Sequence, residues 1–327
     1  MTNKNIKTYL LTCAAIVLLA AISCFLGGIV QLAAGILISV LLGLQTVKYH
    51  YGYVVSSALL LFLVPLVITA LLSGTDFSSV IVYTVLLTFP IILMGLTLGF
   101  SANMKISFYK TVVILAVIYL AGTVTNMKIL SSTSSAFNIE NIIADSIGQF
   151  QTMLDSVYSS NPDALNLIST LLGDIAKMML TLTPAVFTLL SMGIAFICSM
   201  IFKTFCLKQQ IDISFWPPFY KLRADRFVSV LFLVIFIINT FAPDGLFADL
   251  TLNVIVILSG IFLLFGLSFL DWTLRSRGMK RLPRRLILIA CVPLCTSFFM
   301  LPLLILVSLG MIDGLLNFRT RKPPRAF

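Results

Sequence analysis

Residues 10–47 read LLTCAAIVLLAAISCFLGGIVQLAAGILISVLLGLQTV. The run is 38 residues long and carries no charge, close to twice the roughly 20 residues that a helix needs to cross the hydrocarbon core of a bilayer. Gly27-Gly28 falls near its middle, where a tight turn divides it into two spans. Lys4 and Lys7 precede it, which is also how a signal peptide begins. The apolar run far exceeds the roughly 7 to 15 residues of a signal core, so it reads as a first span that is retained.

The remainder of the chain follows the same pattern. Of 327 residues, 59% are hydrophobic and 10% charged, with a mean hydropathy of +1.08, whereas ordinary soluble domains run about 25% charged. A water-soluble globule is excluded. Further apolar segments lie at residues 53–73, 79–99, 107–128, 180–202, 227–243, 250–270 and 286–311. Lipid gives backbone groups no partner and no barrel-like alternation is visible, so these segments are expected to be helices. The predicted fold class is all-α: a polytopic transmembrane helix bundle with eight or nine spans and an external helical hairpin. Its expected divisions are an N-terminal membrane bundle of about five spans over 1–128, an acidic extracytoplasmic hairpin over 129–178, and a C-terminal membrane bundle over 179–327.

The net charge of +10 does not point to nucleic acid, because the basic residues sit in short loops between apolar runs instead of on one solvated face. Placing the N-terminus in the cytoplasm and alternating sides puts sixteen Lys and Arg residues inside and only Lys128 and Lys177 outside. This is the bias expected of a multi-pass protein of the bacterial cytoplasmic (inner) membrane, with the lipid bilayer as its first partner. Arg319, Arg321, Lys322 and Arg325 complete the 22, and a single last span would strand them outside. Pro293 and Pro302 divide the 286–311 run, so a broken or re-entrant pair of half-helices is expected to return the tail to the cytoplasm.

Within 129–178, Ile139, Ile142, Ile143, Ile147, Phe150, Leu154 and Val157 recur at three- and four-residue steps, predicting an amphipathic helix from about Asn138. Asn161-Pro162 then opens a second helix, which is expected to run into the membrane with a kink near Pro184. The aromatic and proline-rich Phe215-Trp216-Pro217-Pro218-Phe219-Tyr220 precedes Lys221, Arg223 and Arg226 and suits an interfacial segment along the cytoplasmic leaflet.

No complete catalytic, cofactor or metal motif is present. A charge at mid-span is the usual pointer to ion-coupled chemistry, and none occurs here. Asp271 and Asp313 with Arg319 are the only residues that could form a charged site at one leaflet. His50 is a lone histidine flanked by tyrosines and reads as an interfacial anchor. The six cysteines lie within or beside apolar runs, where thiols pack as small hydrophobes, so no disulfide is expected. Gln31, Gly35, Ser39 and Gly43 recur every four residues on one face of the second span, and Gly95-x-x-x-Gly99 repeats the device later. Such faces let helix backbones approach closely in lipid, as packing within the chain or as a docking face for another membrane subunit.

The paired N-terminal spans, Leu182-Thr183-Pro184-Ala185, the loop around Phe215-Trp216-Pro217-Pro218, and Leu309-Gly310-Met311-Ile312-Asp313 before Asn317-Phe318-Arg319 together resemble the YybS-like family of uncharacterised bacterial multi-pass membrane proteins. The membrane part of that family is similar to the substrate-binding S components of energy-coupling-factor transporters. The resemblance implies a subunit that binds a small molecule and docks on a partner. The alanine-x-x-x-alanine docking spacing of S components is not met by Ala14, Ala15, Ala20 and Ala21. The expected activity is that of a non-enzymatic, transport-related subunit holding a small solute between helices, with Gln31, Ser39, Asn239 and Thr240 as candidate contacts. The alternative is a scaffold for envelope or cell-division assemblies.

Overall fold

The apolar runs among the described residues are helical, the form that lets a chain surrounded by hydrocarbon close most of its backbone hydrogen bonds within itself. The structure, a computed structural model, describes residues 3–26, 28–49, 51–73, 77–133, 138–158, 162–243, 245–296 and 300–321. Among these the elements are helical throughout: α1 Asn3–Phe25, α2 Ile29–Lys48, α3 Tyr51–Ser73, α4 Phe77–Asn103, α5 Phe108–Thr133, α6 Ile139–Tyr158 and α7 Pro162–Lys208. A 3-10 turn, Phe219–Lys221, leads to α8 Arg226–Phe241, α9 Leu246–Ser276, α10 Arg281–Thr296, α11 Met300–Leu316 and the single turn α12 Phe318–Arg321. Among the described residues, seven helices are long and apolar enough to cross a membrane, and α8 and α11 are shorter apolar helices. The protein is an all-helical polytopic bundle.

The chain divides into two compact units, residues 1–150 with 190–216, and residues 151–189 with 217–327. In the first, α2 is the central helix. Of its most apolar stretch 61% is buried, against 22% for α1 and α3 and 17% for α5, which leave Leu59, Val67, Val113 and Val117 exposed as lipid-facing surface. α2 packs on α1, α3 and α4, and Ile16, Ala20, Ile38, Leu42 and Leu61 form the buried cluster between them. α2 and α4 meet through glycine. A Cβ added to Gly95 would lie 2.7 Å from the Leu42 Cβ and 2.9 Å from the Ser39 carbonyl oxygen, and one added to Gly43 would lie 3.1 Å from the Gly95 carbonyl oxygen.

The segment after α7 turns inward, against the expectation of an interfacial strip. Trp216 is buried, its indole N–H donates to the Ile106 carbonyl at 2.9 Å, and its ring meets Phe108 edge-on at 5.5 Å. Lys203 donates to the Trp216 carbonyl at 2.6 Å. An indole is a large apolar body with one donor, and both needs are met inside the protein. The exposed Asp212 accepts from the Ser214 N–H, which holds its carboxyl below the usual carboxylate range.

In the second unit α9 and α11 cross as closely as α2 and α4 do. A Cβ on Gly266 would stand 2.7 Å from the Leu306 carbonyl carbon, and one on Gly310 would stand 2.8 Å from the Gly266 nitrogen. Phe262, Phe232, Val307 and Ala224 fill the core beside this crossing. α10 and α11 are 16 and 17 residues long, about 25 Å each at 1.5 Å per residue and short of the ~30 Å hydrocarbon core. Both pack on α9. α10 starts where Arg284 meets Asp271 near the end of α9, and α12, just after α11, carries Arg319, which reaches Phe265, Ser268 and Tyr220. The two short helices therefore go out and come back to one end of the unit.

The hairpin helices form as the periodicity predicts. The Glu140 N–H is capped by Asn138 Oδ1 at 3.1 Å, and α7 continues from Pro162 to Lys208 as one helix of 47 residues. Ile142, Phe150 and Met153 of α6 remain exposed. The turn at Asn161, the α1–α2 residue Gly27, and His50 lie outside the described residues.

Candidate functional site

Proline inside a helix removes one N–H and leaves the carbonyl four residues earlier without its helical partner. Pro90 does this to Leu86 in α4, and Asn126 of α5 supplies the missing donor, its Nδ2 lying 3.2 Å from the Leu86 carbonyl oxygen. The two helices approach closely there, because a Cβ on Gly122 would lie 2.9 Å from the Pro90 Cβ. Beside this contact lies a cavity of about 240 Å³ between α2, α4 and α5, with Ile194 of α7 also on its wall. α2 contributes Gln31, Gly35 and Ser39, and α5 contributes Tyr119, Thr123 and Asn126.

The cavity runs from Gly28, at the start of α2, to Ser39, eleven residues on. At 1.5 Å per residue this is about 16 Å, half the thickness of a ~30 Å hydrocarbon core. No lining residue is charged. The Ser39 hydroxyl lies 3.0 Å from both the Gly35 and the Ile91 carbonyls, so it ties α2 to α4 at the cavity floor. The Thr123 hydroxyl donates to Tyr119 at 2.9 Å.

Of the four candidate contacts, the structure brings Gln31 and Ser39 to this cavity and places the other two elsewhere. Asn239 Oδ1 accepts from the Thr251 hydroxyl at 2.6 Å and Thr240 donates to the Phe236 carbonyl at 2.9 Å, both in the second unit. Gly35, Ser39, Gly43, Gly95 and Gly99 face one another across the α2–α4 crossing, where a Cβ on Gly99 would lie 2.9 Å from the Gly43 carbonyl oxygen. That small-residue face is taken up within the chain.

The charged candidates form two separate ion pairs. Arg319 Nε lies 2.8 Å from Asp313 Oδ2 with side chains 7% and 1% exposed, and Arg284 Nε lies 2.6 Å from Asp271 Oδ1. Arg319 also donates to the Tyr220 carbonyl at 2.7 Å and to Ser268 Oγ at 2.9 Å. Each carboxylate thus has a local counter-charge, and the arrangement clamps helix ends together. Among the described residues no group of three or more His, Cys, Asp or Glu could hold a metal ion.

Sequence reading missed the asparagines. In the second unit Asn253 Oδ1 accepts from the Ala185 N–H at 3.1 Å while its Nδ2 donates to the Thr181 carbonyl at 2.8 Å. These two backbone groups would pair with each other in an undisturbed helix, and they flank Pro184. A signal existed in each case, a proline within one apolar run and an asparagine within another. Gly310-x-x-x-Gly314 carries the same spacing as Gly95-x-x-x-Gly99, with Gly310 at the α9–α11 crossing and Gly314 against Ser229 and Ala224.

A bundle of helices in which, among the described residues, seven are long and apolar enough to cross a membrane is a multi-pass integral membrane protein. Residues 13–314 match the family described as predicted membrane protein (DUF2232), and the chain belongs to that family. No curated protein and no solved structure matches the chain.

Proposed function

We propose that this protein binds a small, uncharged solute between α2, α4 and α5 and acts as a transport-related membrane subunit. The cavity carries this reading, being open space within a helix bundle that reaches from one end of α2 to its middle, lined by apolar side chains and a few neutral polar groups. An open cleft of this size between helices, lined by apolar side chains with a few polar groups, is the usual form of a small-molecule site. The resemblance to the YybS-like family and to S components of energy-coupling-factor transporters points the same way. The ion pairing of Asp271, Asp313 and Arg319 favours a non-enzymatic role.

The orientation that goes with this function places the N-terminus, the basic loops and the tail in the cytoplasm of a bacterial inner-membrane protein. The out-and-back course of α10 and α11 supports it, since it brings Arg319 beside Tyr220 in the basic loop. A reporter fused after Phe327 is expected to be active only on the cytoplasmic side.

Leu87→Trp would fill the cavity from α4. Full-length wild-type protein purified in detergent is expected to carry a small molecule, seen by mass spectrometry of the extract, that the Leu87→Trp variant lacks. Identical extracts from both would remove the solute-binding reading and leave the scaffold, for which the exposed Ile142, Phe150 and Met153 of α6 are the observation in favour.

A further inference from the structure

One acceptor at the cavity has no donor. The hydrogen bond to the Leu86 carbonyl fixes which end of the Asn126 amide is nitrogen, because a carbonyl accepts only from N–H. Asn126 Oδ1 is then the opposite end. It is buried and has no hydrogen-bond partner among the described residues. Leaving a buried amide oxygen unpaired is unfavourable, and native structures do so rarely. Asn126 itself lines the cavity, and so do Leu86, Pro90 and Gly122 around it.

We propose that Asn126 Oδ1 is the recognition atom of this cavity, and that the solute is an uncharged molecule presenting an N–H or O–H donor, an amide, alcohol or N–H heterocycle. This rests on the reading of the cavity as a solute site. The neighbouring hydroxyls sharpen the class. Ser39 and Thr123 have one proton each and direct it to backbone carbonyls, which leaves them acceptors towards anything else. Gln31 and Tyr119 bring donors of their own to the wall, so it is the unpartnered Asn126 Oδ1 that asks for a donor from the solute. A cation would also be a donor, but no carboxylate lines the cavity to balance it, and an uncompensated charge in an apolar site is far costlier than a neutral group.

The volume bounds the solute. About 240 Å³ is some eight liquid-water volumes of ~30 Å³ and falls below the roughly 300 to 1,000 Å³ of sites for drug-sized molecules. Asn126 Oδ1 is out of reach of water in this structure, so the solute reaches it by a small shift of α5 on α4. Gly122 presents no side chain to the Pro90 ring at that contact.

The test uses matched probes on the full-length protein in detergent, read by the shift of its thermal unfolding midpoint. Benzamide and acetophenone have the same size and differ in an NH2 against a CH3 on the carbonyl; benzamidinium is the cationic analogue. Benzamide is expected to act at about tenfold lower concentration than acetophenone, the factor that pairing an orphaned acceptor supplies. Benzamidinium is expected to be the weakest. In Asn126→Leu the preference for benzamide falls to about one; should that variant fail to fold, Asn126→Leu is made with Pro90→Ala, where Leu86 regains a helical N–H.

Equal action of benzamide and acetophenone on the wild type, tighter binding of benzamidinium, or a preference that survives Asn126→Leu each overturns the proposal. Leu87→Trp separates this from failure of the cavity itself. If it abolishes the effect of both neutral probes, the site stands and only the donor rule is at stake. If it changes neither effect, or if neither probe acts on the wild type, both the site and the donor rule fall.

Discussion

Replacing Gly95 by alanine is expected to force α2 and α4 apart, by an amount the crossing itself sets. The new Cβ would sit 2.7 Å from the Leu42 Cβ and 2.9 Å from the Ser39 carbonyl oxygen. Ordinary contacts between carbon atoms are about 3.5 to 4.0 Å, so the helices must separate by about 1 Å. Neither obstacle is the end of a flexible side chain, so no rotamer change relieves it. A gap of 0.5 to 1 Å forfeits about a quarter to a half of each dispersion contact along the crossing, and overpacking of this kind costs about 1 to 3 kcal/mol. Two other glycines calibrate the effect. At Gly35 the nearest atom is Ile91 Cδ1 at 3.2 Å, a side-chain tip that can move, and at Gly193 nothing lies within 4 Å. Gly193→Ala should be neutral or stabilising by up to ~1 kcal/mol through helix propensity, Gly35→Ala close to neutral, and Gly95→Ala destabilising by about 2 kcal/mol. The buried Cys198 and Cys206 provide the readout. Thiol labelling of the purified protein at graded temperatures, resolved by peptide mass spectrometry, should show both cysteines reacting about 30-fold faster in Gly95→Ala than in wild type. Labelling of Gly95→Ala at the rate of Gly193→Ala would refute the account of the α2–α4 crossing.

Asp313→Ala leaves Arg319 buried without its counter-charge and is expected to cost about 3 to 5 kcal/mol, seen as loss of a monodisperse peak in detergent; Asp313→Leu with Arg319→Met should recover part of it. Asn253→Leu strips partners from both Thr181 and Ala185 and should lower stability by about 1 to 3 kcal/mol in thermal unfolding, more than Asn239→Val, which loses one bond to Thr251 worth about 1 kcal/mol. Trp216→Phe loses the bond to Ile106 and part of the buried ring, about 1 to 2 kcal/mol together, whereas Trp216→Ala should cost about 3 to 5 kcal/mol in the same measurement.

Much of the fold was legible because bilayer insertion depends on local properties. A 38-residue run without charge announces two spans whatever lies beyond it, and a four-residue spacing of small residues announces a close helix crossing. The spacing does not say which helix is crossed. Gly43 and Gly95 belong to one interface, while Gly310 meets Gly266, whose own neighbourhood in sequence has no second glycine at the right step. The loop at Phe215–Tyr220 has the composition of an interfacial strip. Its tryptophan is instead buried, because Ile106, 110 residues earlier, offers a carbonyl at the right place.

The candidate site was half legible. Gln31 and Ser39 stood out as polar residues on a small-residue face, and both reach the cavity. Asn239 and Thr240 looked equivalent in sequence and are absorbed by Thr251 and Phe236. A polar side chain in an apolar run needs a partner, and whether that partner is a nearby backbone group, a distant helix or a solute is decided only when the helices assemble.

The amino-acid order alone determined that this chain lives in a membrane, which apolar runs become helices, and where two of them can touch backbone to backbone. These follow from hydrophobic length and residue size, which act over one or two helical turns. Tertiary structure decided that Asn126 repairs the helix opened by Pro90, that Asn253 bridges the one opened by Pro184, and that an unpaired amide oxygen sits beside a cavity. Those facts depend on hydrogen bonds between residues 40 to 72 positions apart, a separation that no local spacing rule encodes.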